Sequence, residues 1–202
     1  MAIVLAVVFA LTDPQLLVVP LGILIFLVAG TIRKTLAKFP LVVAYIFTGT
    51  LFGVIVEICA MLNYANNASN NHLVSLDPAT NLIITTFFYF LATIGVYIIV
   101  KKYSIQVAGL FGCAAFFSIM LEQQGQVFLA GIANPLFAPL YWGYVAAVYS
   151  FFVVVPYWLL KDRFEQRQRP HWWTYPLLVI VMLVCSLLGF VIGEMVKRMV
   201  LG

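Results

Sequence analysis

Residues 41–62 read LVVAYIFTGTLFGVIVEICAML, and this stretch decides the fold. It is an unbroken apolar run with one charged residue, Glu57. A helix rises about 1.5 Å per residue, so the run is long enough to cross the roughly 30 Å of bilayer hydrocarbon. Within it Gly49, Gly53 and Glu57 are spaced four apart and share a helix face. Small residues on a membrane helix mark a face that another helix approaches closely. Glu57 is therefore expected to point into the protein, where an ionisable group is costly and needs a partner or a task.

The rest of the chain agrees with this reading. Its 202 residues are 64% hydrophobic and 9% charged, against about 45–50% and about 25% in ordinary soluble domains. No soluble core could hide such a surplus. The expectation is an all-α integral membrane protein, one transmembrane domain over 1–202 with about six helices in a single bundle. The spans are expected near 14–30, 41–62, 78–100, 106 into the polar cluster 122–124 with a continuation towards 132 left open, 139–160, and 173 to 195 or beyond. Thr12-Asp13-Pro14 and Asp77-Pro78 give the first and third spans a capping residue followed by proline. Pro139 and Pro156 are expected to bend the fifth. The segment Met1–Leu11 is apolar but too short to span. Lacking a basic start, it does not read as a cleaved signal. It is expected to be interfacial or re-entrant, or to extend the first helix.

Arg33, Lys34, Lys38, Lys101, Lys102, Lys161, Arg163, Arg167 and Arg169 fall in three alternate connections, and only Lys197 and Arg198 fall elsewhere. Basic connections stay cytoplasmic. Both termini are then non-cytoplasmic, and the protein is multi-pass, in the plasma membrane if prokaryotic. The net charge of +4 is this topology signal and implies no nucleic acid. The outer connection around Asn67-Ala68-Ser69 reads as a plain solvated loop that happens to match a glycosylation sequon.

A second stripe, Ala114, Ser118 and Glu122, repeats the four-residue spacing. Glu57 and Glu122 each lie about sixteen residues, or ~24 Å, from the basic end of their spans. Both acids thus share the outer part of the membrane. They are the expected catalytic pair. Gln123, Gln124 and Gln126 extend the polar surface beside Glu122. Tyr141, Trp142 and Tyr144 supply aromatic or interfacial contacts, and Glu194 a further acid. For Glu194 the plainer reading is a surface pair with Lys197 or Arg198. For Glu57 and Glu122 the structural alternative is an interhelical hydrogen bond. Gly189 and Gly193 form a third small-residue stripe. With Gly49 and Gly53 it offers faces to other membrane helices.

Several chemistries are excluded. Cys59, Cys113 and Cys185 lie in apolar runs without a CxxC. His72 and His171 lie in polar connections. No metal or other cofactor is expected. No GxSxG, HExxH or Walker sequence occurs, and no span contains Lys or Arg. Around the acids the chain is aromatic: the third span carries Phe87, Phe88, Tyr89 and Phe90, and the fourth Phe116 and Phe117. Aromatic faces beside carboxyls suit an apolar ligand that carries or develops positive charge.

The leading expectation is binding of, or acid–base action on, a hydrophobic ligand of isoprenoid or lipid type. One acid would protonate a double bond or epoxide and the other accept a proton. Two acids on helices separated by an outer loop broadly resemble the layout of small membrane terpenoid cyclases, although the chain carries no diagnostic motif of that group. The alternatives are a cation- or proton-linked transporter or channel component, and an accessory subunit of a larger membrane complex. Partners are then membrane lipids, a small hydrophobic ligand and other membrane helices.

Overall fold

The computed structural model describes residues 13–66, 75, 77–164 and 168–201. The expectations for 1–11 and for the loop at 67–69 lie outside these residues. Helices α1 (Val18–Leu27), α2 (Ala29–Leu36), α3 (Leu41–Asn66), α4 (Pro78–Lys102), α5 (Val107–Leu121), α6 (Gln126–Ala133), α7 (Ala138–Tyr149), α8 (Phe151–Leu160) and α9 (Thr174–Leu201) account for most of them. No strand forms among the described residues; an isolated bridge joins Tyr103 and Gln168.

Three stretches, Leu41–Asn63, Pro78–Lys102 and Thr174–Val200, are each long and apolar enough to cross a membrane. Three bent pairs qualify only when taken together: α1 with α2, α5 with α6, and α7 with α8 and the turn that follows it. The chain therefore has three to six candidate crossings.

The capping expectations hold in atomic detail. The Asp13 carboxylate accepts from the Gln15 amide at 3.0 Å, and Pro14 opens the 3₁₀ turn Pro14–Leu17 that leads into α1. Asp77 accepts from the Thr80 amide at 2.8 Å and Pro78 opens α4. The Thr80 donors hold the Asp77 carboxyl below its ordinary range. Each cap satisfies an amide that the first helical turn leaves without a partner.

Three spans are bent: the first and fourth, expected to be straight, and the fifth, whose expected bend lies elsewhere than at its prolines. The first turns by 75° at Val28 and continues as α2 to Leu36. Beyond Val28 the chain turns polar at Thr31, Arg33, Lys34 and Thr35, so it leaves the direction of the apolar run. Arg33 and Lys34 are thus helical rather than in a connection. Ala29 and Leu36 are buried on the inner side of α2, and the Arg33 guanidinium lies 4.9 Å from the Trp158 ring centroid. The fourth span breaks at the 3₁₀ turn Glu122–Gly125 and swings by 95°. Gly125 makes that elbow possible, because its φ of 86° is a left-handed conformation that side chains with a Cβ resist. The fifth bends by 54° at Ser150. Pro156 lies inside α8 and Pro139 at the start of α7, so neither marks the bend.

Helix α4 is the axis of the assembly, and glycines bring its neighbours close. A Cβ on Gly49 would meet the Thr93 side chain and one on Gly53 the Tyr89 ring, so the α3 stripe seats directly on α4. A Cβ on Gly189 would meet backbone atoms of Phe87 and Phe88, and one on Gly193 the Ile84 backbone, so α9 packs on another side. Gly95 leaves room for Val181 and Cys185. Both glycine stripes offered to other membrane helices are thus covered by α4 of the same chain. In a bilayer such close packing and interhelical hydrogen bonds replace the hydrophobic drive that holds soluble cores.

The connections gather by charge. Arg33 approaches Asp162 at 3.9 Å and donates to the Trp158 carbonyl. Arg163 donates to the Leu36 and Phe39 carbonyls at 2.8 Å each. The Gln168 amide donates to the Lys102 carbonyl at 3.0 Å. The three basic connections therefore meet at one end. Asp13, Asp77, Glu194 and Lys197 belong to the other.

Candidate functional site

The site begins with a stripe on α4. Asn81, Thr85, Tyr89 and Thr93 repeat at four-residue spacing and all are buried. They face the Gly49, Gly53, Glu57 stripe of the antiparallel α3. The pairing is residue by residue: Gly49 against Thr93, Gly53 against Tyr89, and Glu57 against Asn81 and Tyr89. Gly53 lets the Tyr89 ring lie across α3. Tyr89 then donates its hydroxyl to Glu57 Oε2 at 3.4 Å, while Asn81 Nδ2 donates to Oε1 at 2.5 Å. Glu57 is 8% exposed. Thr85 instead returns its hydroxyl to the Asn81 carbonyl within its own helix.

The second acid is placed by the elbow. Ala114 and Ser118 are buried as the stripe predicts, and Ser118 donates back to the Ala114 carbonyl at 2.8 Å. Glu122 ends α5 with extended backbone angles, which turns its carboxylate towards α7. There the Tyr149 hydroxyl donates to Glu122 Oε1 at 3.5 Å and itself accepts from Gln15 Nε2 at 3.3 Å. Tyr144 donates to Asp13 Oδ2 at 2.9 Å and also contacts Gln15 Oε1. A phenol has one proton, so Tyr144 serves either Asp13 or Gln15 at any moment. In the second case every donor from Tyr144 through Gln15 and Tyr149 points towards Glu122. Such an aligned chain polarises itself cooperatively.

The two halves are neighbours. Glu57 and Glu122 interact electrostatically with each other, and both interact with Tyr89. Among the described residues the ion pairs are Arg33 with Asp162 and Lys197 with Glu194, so neither the buried Glu57 nor the half-buried Glu122 has a basic partner there. The surroundings are aromatic: Tyr89 meets Phe152 edge-on at 4.9 Å between centroids, and Phe88 lies 6.4 Å from Phe117. No group of three or more His, Cys, Asp or Glu side chains suited to a metal occurs among the described residues.

The other expected site residues divide. Tyr144 belongs to the hydrogen-bonded chain. Trp142 covers Gly131 and donates to the Val127 carbonyl at 3.2 Å, fastening α6 to α7. Tyr141 is exposed. Gln126 is exposed at the start of α6, and the backbones of Gln123 and Gln124 form the elbow. Glu194 pairs with Lys197 at 3.5 Å, the surface arrangement its spacing allows. Gln15, Asn81, Tyr89 and Tyr149 were not singled out from sequence as site residues. The first and last could not have been, since their contact joins positions 134 residues apart. The four-residue repeat through Asn81 and Tyr89 was a readable signal.

Comparisons with protein-family models, with characterised proteins and with solved structures find no match to this chain.

Proposed function

We propose that Glu57 and Glu122 form one acidic site in the outer part of a six-crossing bundle, and that this site binds or acts on a hydrophobic ligand carrying or developing positive charge. In this reading each bent pair is one crossing. The basic connections are cytoplasmic, both termini lie outside, and the membrane is the plasma membrane if the organism is prokaryotic.

The observation that carries the proposal is the pair itself. Two carboxyls from different helices, Glu57 buried and Glu122 half-buried, each receive a tyrosine hydroxyl and have no basic partner among the described residues. A site built this way offers charge and proton exchange but holds no cation of its own, so a ligand can supply one. The rings of Tyr89, Phe88, Phe117 and Phe152 add negative π faces to the same region. For an isoprenoid-like substrate the step would be acid–base. One carboxyl gives its proton to an alkene carbon, whose π electrons form the new C–H bond. The resulting carbocation loses a proton to the other carboxylate.

The test is chemical extraction of the purified protein followed by mass spectrometry. The wild type should carry an apolar molecule above the lipid and detergent background. Glu57→Gln and Glu122→Gln should each lose it, and the double variant should be no worse than the worse single one, as for residues acting together. Identical extracts from all four proteins would overturn the ligand reading.

One observation favours a second reading. The path from Asp13 through Tyr144, Gln15 and Tyr149 to Glu122 joins two carboxyls by hydrogen bonds, and carboxyls in membrane spans mark proton and ion pathways. Proteoliposomes containing a pH-sensitive dye would separate the two. Proton flux lost in Tyr149→Phe, with no extracted ligand in the wild type, would favour a proton-linked transporter.

A further inference from the structure

A groove begins near the basic end of the molecule and runs along α5 as far as Phe116. Helices α5 and α9 diverge there around its open volume of about 460 Å³, with an almost wholly apolar lining that includes Gly109, Gly112, Phe116, Tyr175, Val179 and Ile180. A Cβ on Gly112 would meet nothing within 4 Å, so the groove floor is free at that position. From Gly109 to Phe116 the floor runs about 10 Å along the helix axis.

The segments that lead into α5 and α9, next to the groove in the chain, carry positive charge and aromatic rings. The Gln168 amide donates to the Lys102 carbonyl and the Ser104 amide to the Gln168 carbonyl, at 3.0 and 2.9 Å. This pairing brings Lys101 and Lys102 beside Arg169, and all three are exposed. The Lys102 ammonium lies 5.3 Å from the Tyr103 ring centroid. Tyr103 in turn meets Trp173 edge-on at 5.6 Å. Trp173 sits two residues before Tyr175, which lines the groove. The sequence of surfaces is thus cation, interfacial aromatic, apolar channel.

We propose that this groove holds an acyl chain of an anionic phospholipid, with the headgroup phosphate on Lys101, Lys102 and Arg169. The charge order selects this occupant over a partner helix. An apolar helix would find no use for three exposed cations in the segments that lead into the groove's helices. A phospholipid places its phosphate at the level of Trp and Tyr and its chain immediately beyond. The site is separate from the Glu57–Glu122 pair and does not depend on it.

The experiment is native mass spectrometry of the intact protein, equilibrated in detergent with dipalmitoyl phosphatidylglycerol or dipalmitoyl phosphatidylcholine. The wild type should retain the anionic lipid about tenfold more tightly. Lys101→Gln/Lys102→Gln/Arg169→Gln should reduce that preference to none while the protein stays folded. Gly112→Phe should fill the floor and weaken retention of both lipids. Glu57→Gln should leave the preference unchanged, which separates this site from the acidic one. Glycerol 3-phosphate, which has the charge but no chain, should not compete. Equal retention of the two lipids by the wild type would overturn the proposal. So would an undiminished preference in the triple variant, or displacement by glycerol 3-phosphate, which would indicate a site for soluble phosphates. If Gly112→Phe fails to fold, the triple variant decides.

Discussion

At the scale of single residues, the α3–α4 contact rests on two missing side chains. Gly49 and Gly53 let Thr93 and Tyr89 reach across α3, and the Tyr89 hydroxyl reaches Glu57 only because its ring can lie on Gly53. Gly49→Leu and Gly53→Leu should each lower stability by about 1–3 kcal/mol or more, since overpacking a tight contact forces neighbours apart. Val54→Leu, at a half-buried neighbouring position, should change it by well under that. Thermal unfolding in detergent checks this. Equal effects at all three positions would show that the glycine face is not the packed one. This much was legible in the sequence, because a repeat of four within one apolar helix is local information. The partner stripe on α4 was equally local but lay hidden among aromatic residues. In sequence Tyr89 stands in one aromatic cluster with Phe87, Phe88 and Phe90, although its four-residue neighbours are Asn81, Thr85 and Thr93.

At the scale of helices, hydropathy marks where apolar chain runs but not where it turns. The run from Val107 meets the polar cluster Glu122-Gln123-Gln124-Gly125-Gln126 but turns apolar again at Val127, so a continuation towards Ile132 stayed open in the sequence. The swing at Glu122–Gly125 follows from backbone geometry at one glycine. The bend at Ser150 likewise has no sequence mark as strong as Pro156, which lies further along without breaking α8. The elbow matters because it turns Glu122 towards Tyr149. Gly125→Ala should lower stability by about 1–2 kcal/mol, the usual cost of a Cβ in left-handed backbone. It should also lose any extracted ligand to the extent that Glu122→Gln does. Gly143→Ala, in a helix and facing open space, should be neutral or slightly stabilising. Unfolding midpoints of the two variants, measured side by side, make the comparison. An unchanged midpoint in Gly125→Ala would mean that the elbow does not require its glycine.

At the scale of the whole molecule, charge is sorted between two ends. Arg33, Arg163 and Lys102 meet through one set of connections, and Asp13, Glu57 and Glu122 belong to the opposite set. With six crossings, a thiol placed at Asn70 and one placed at Gln168 should label from opposite sides of the membrane. The background for both is a chain with Cys59, Cys113 and Cys185 replaced. Labelling of both from the same side would break the alternation. The gathering of the basic connections at one end was legible because lysine and arginine are sparse enough to count. The joining of Gln15 to Tyr149 was not, because nothing in either segment names a partner 134 residues away.

The central claim is that Glu57 and Glu122 act as one site, and a double-substitution cycle tests it most directly. Thermal unfolding at neutral pH would be compared for the wild type, Glu57→Gln, Glu122→Gln and the double variant. A shared site predicts non-additive effects with a coupling of about 0.5–3 kcal/mol. Effects that sum to within about 0.3–0.5 kcal/mol, the range seen for distant and independent positions, would contradict it.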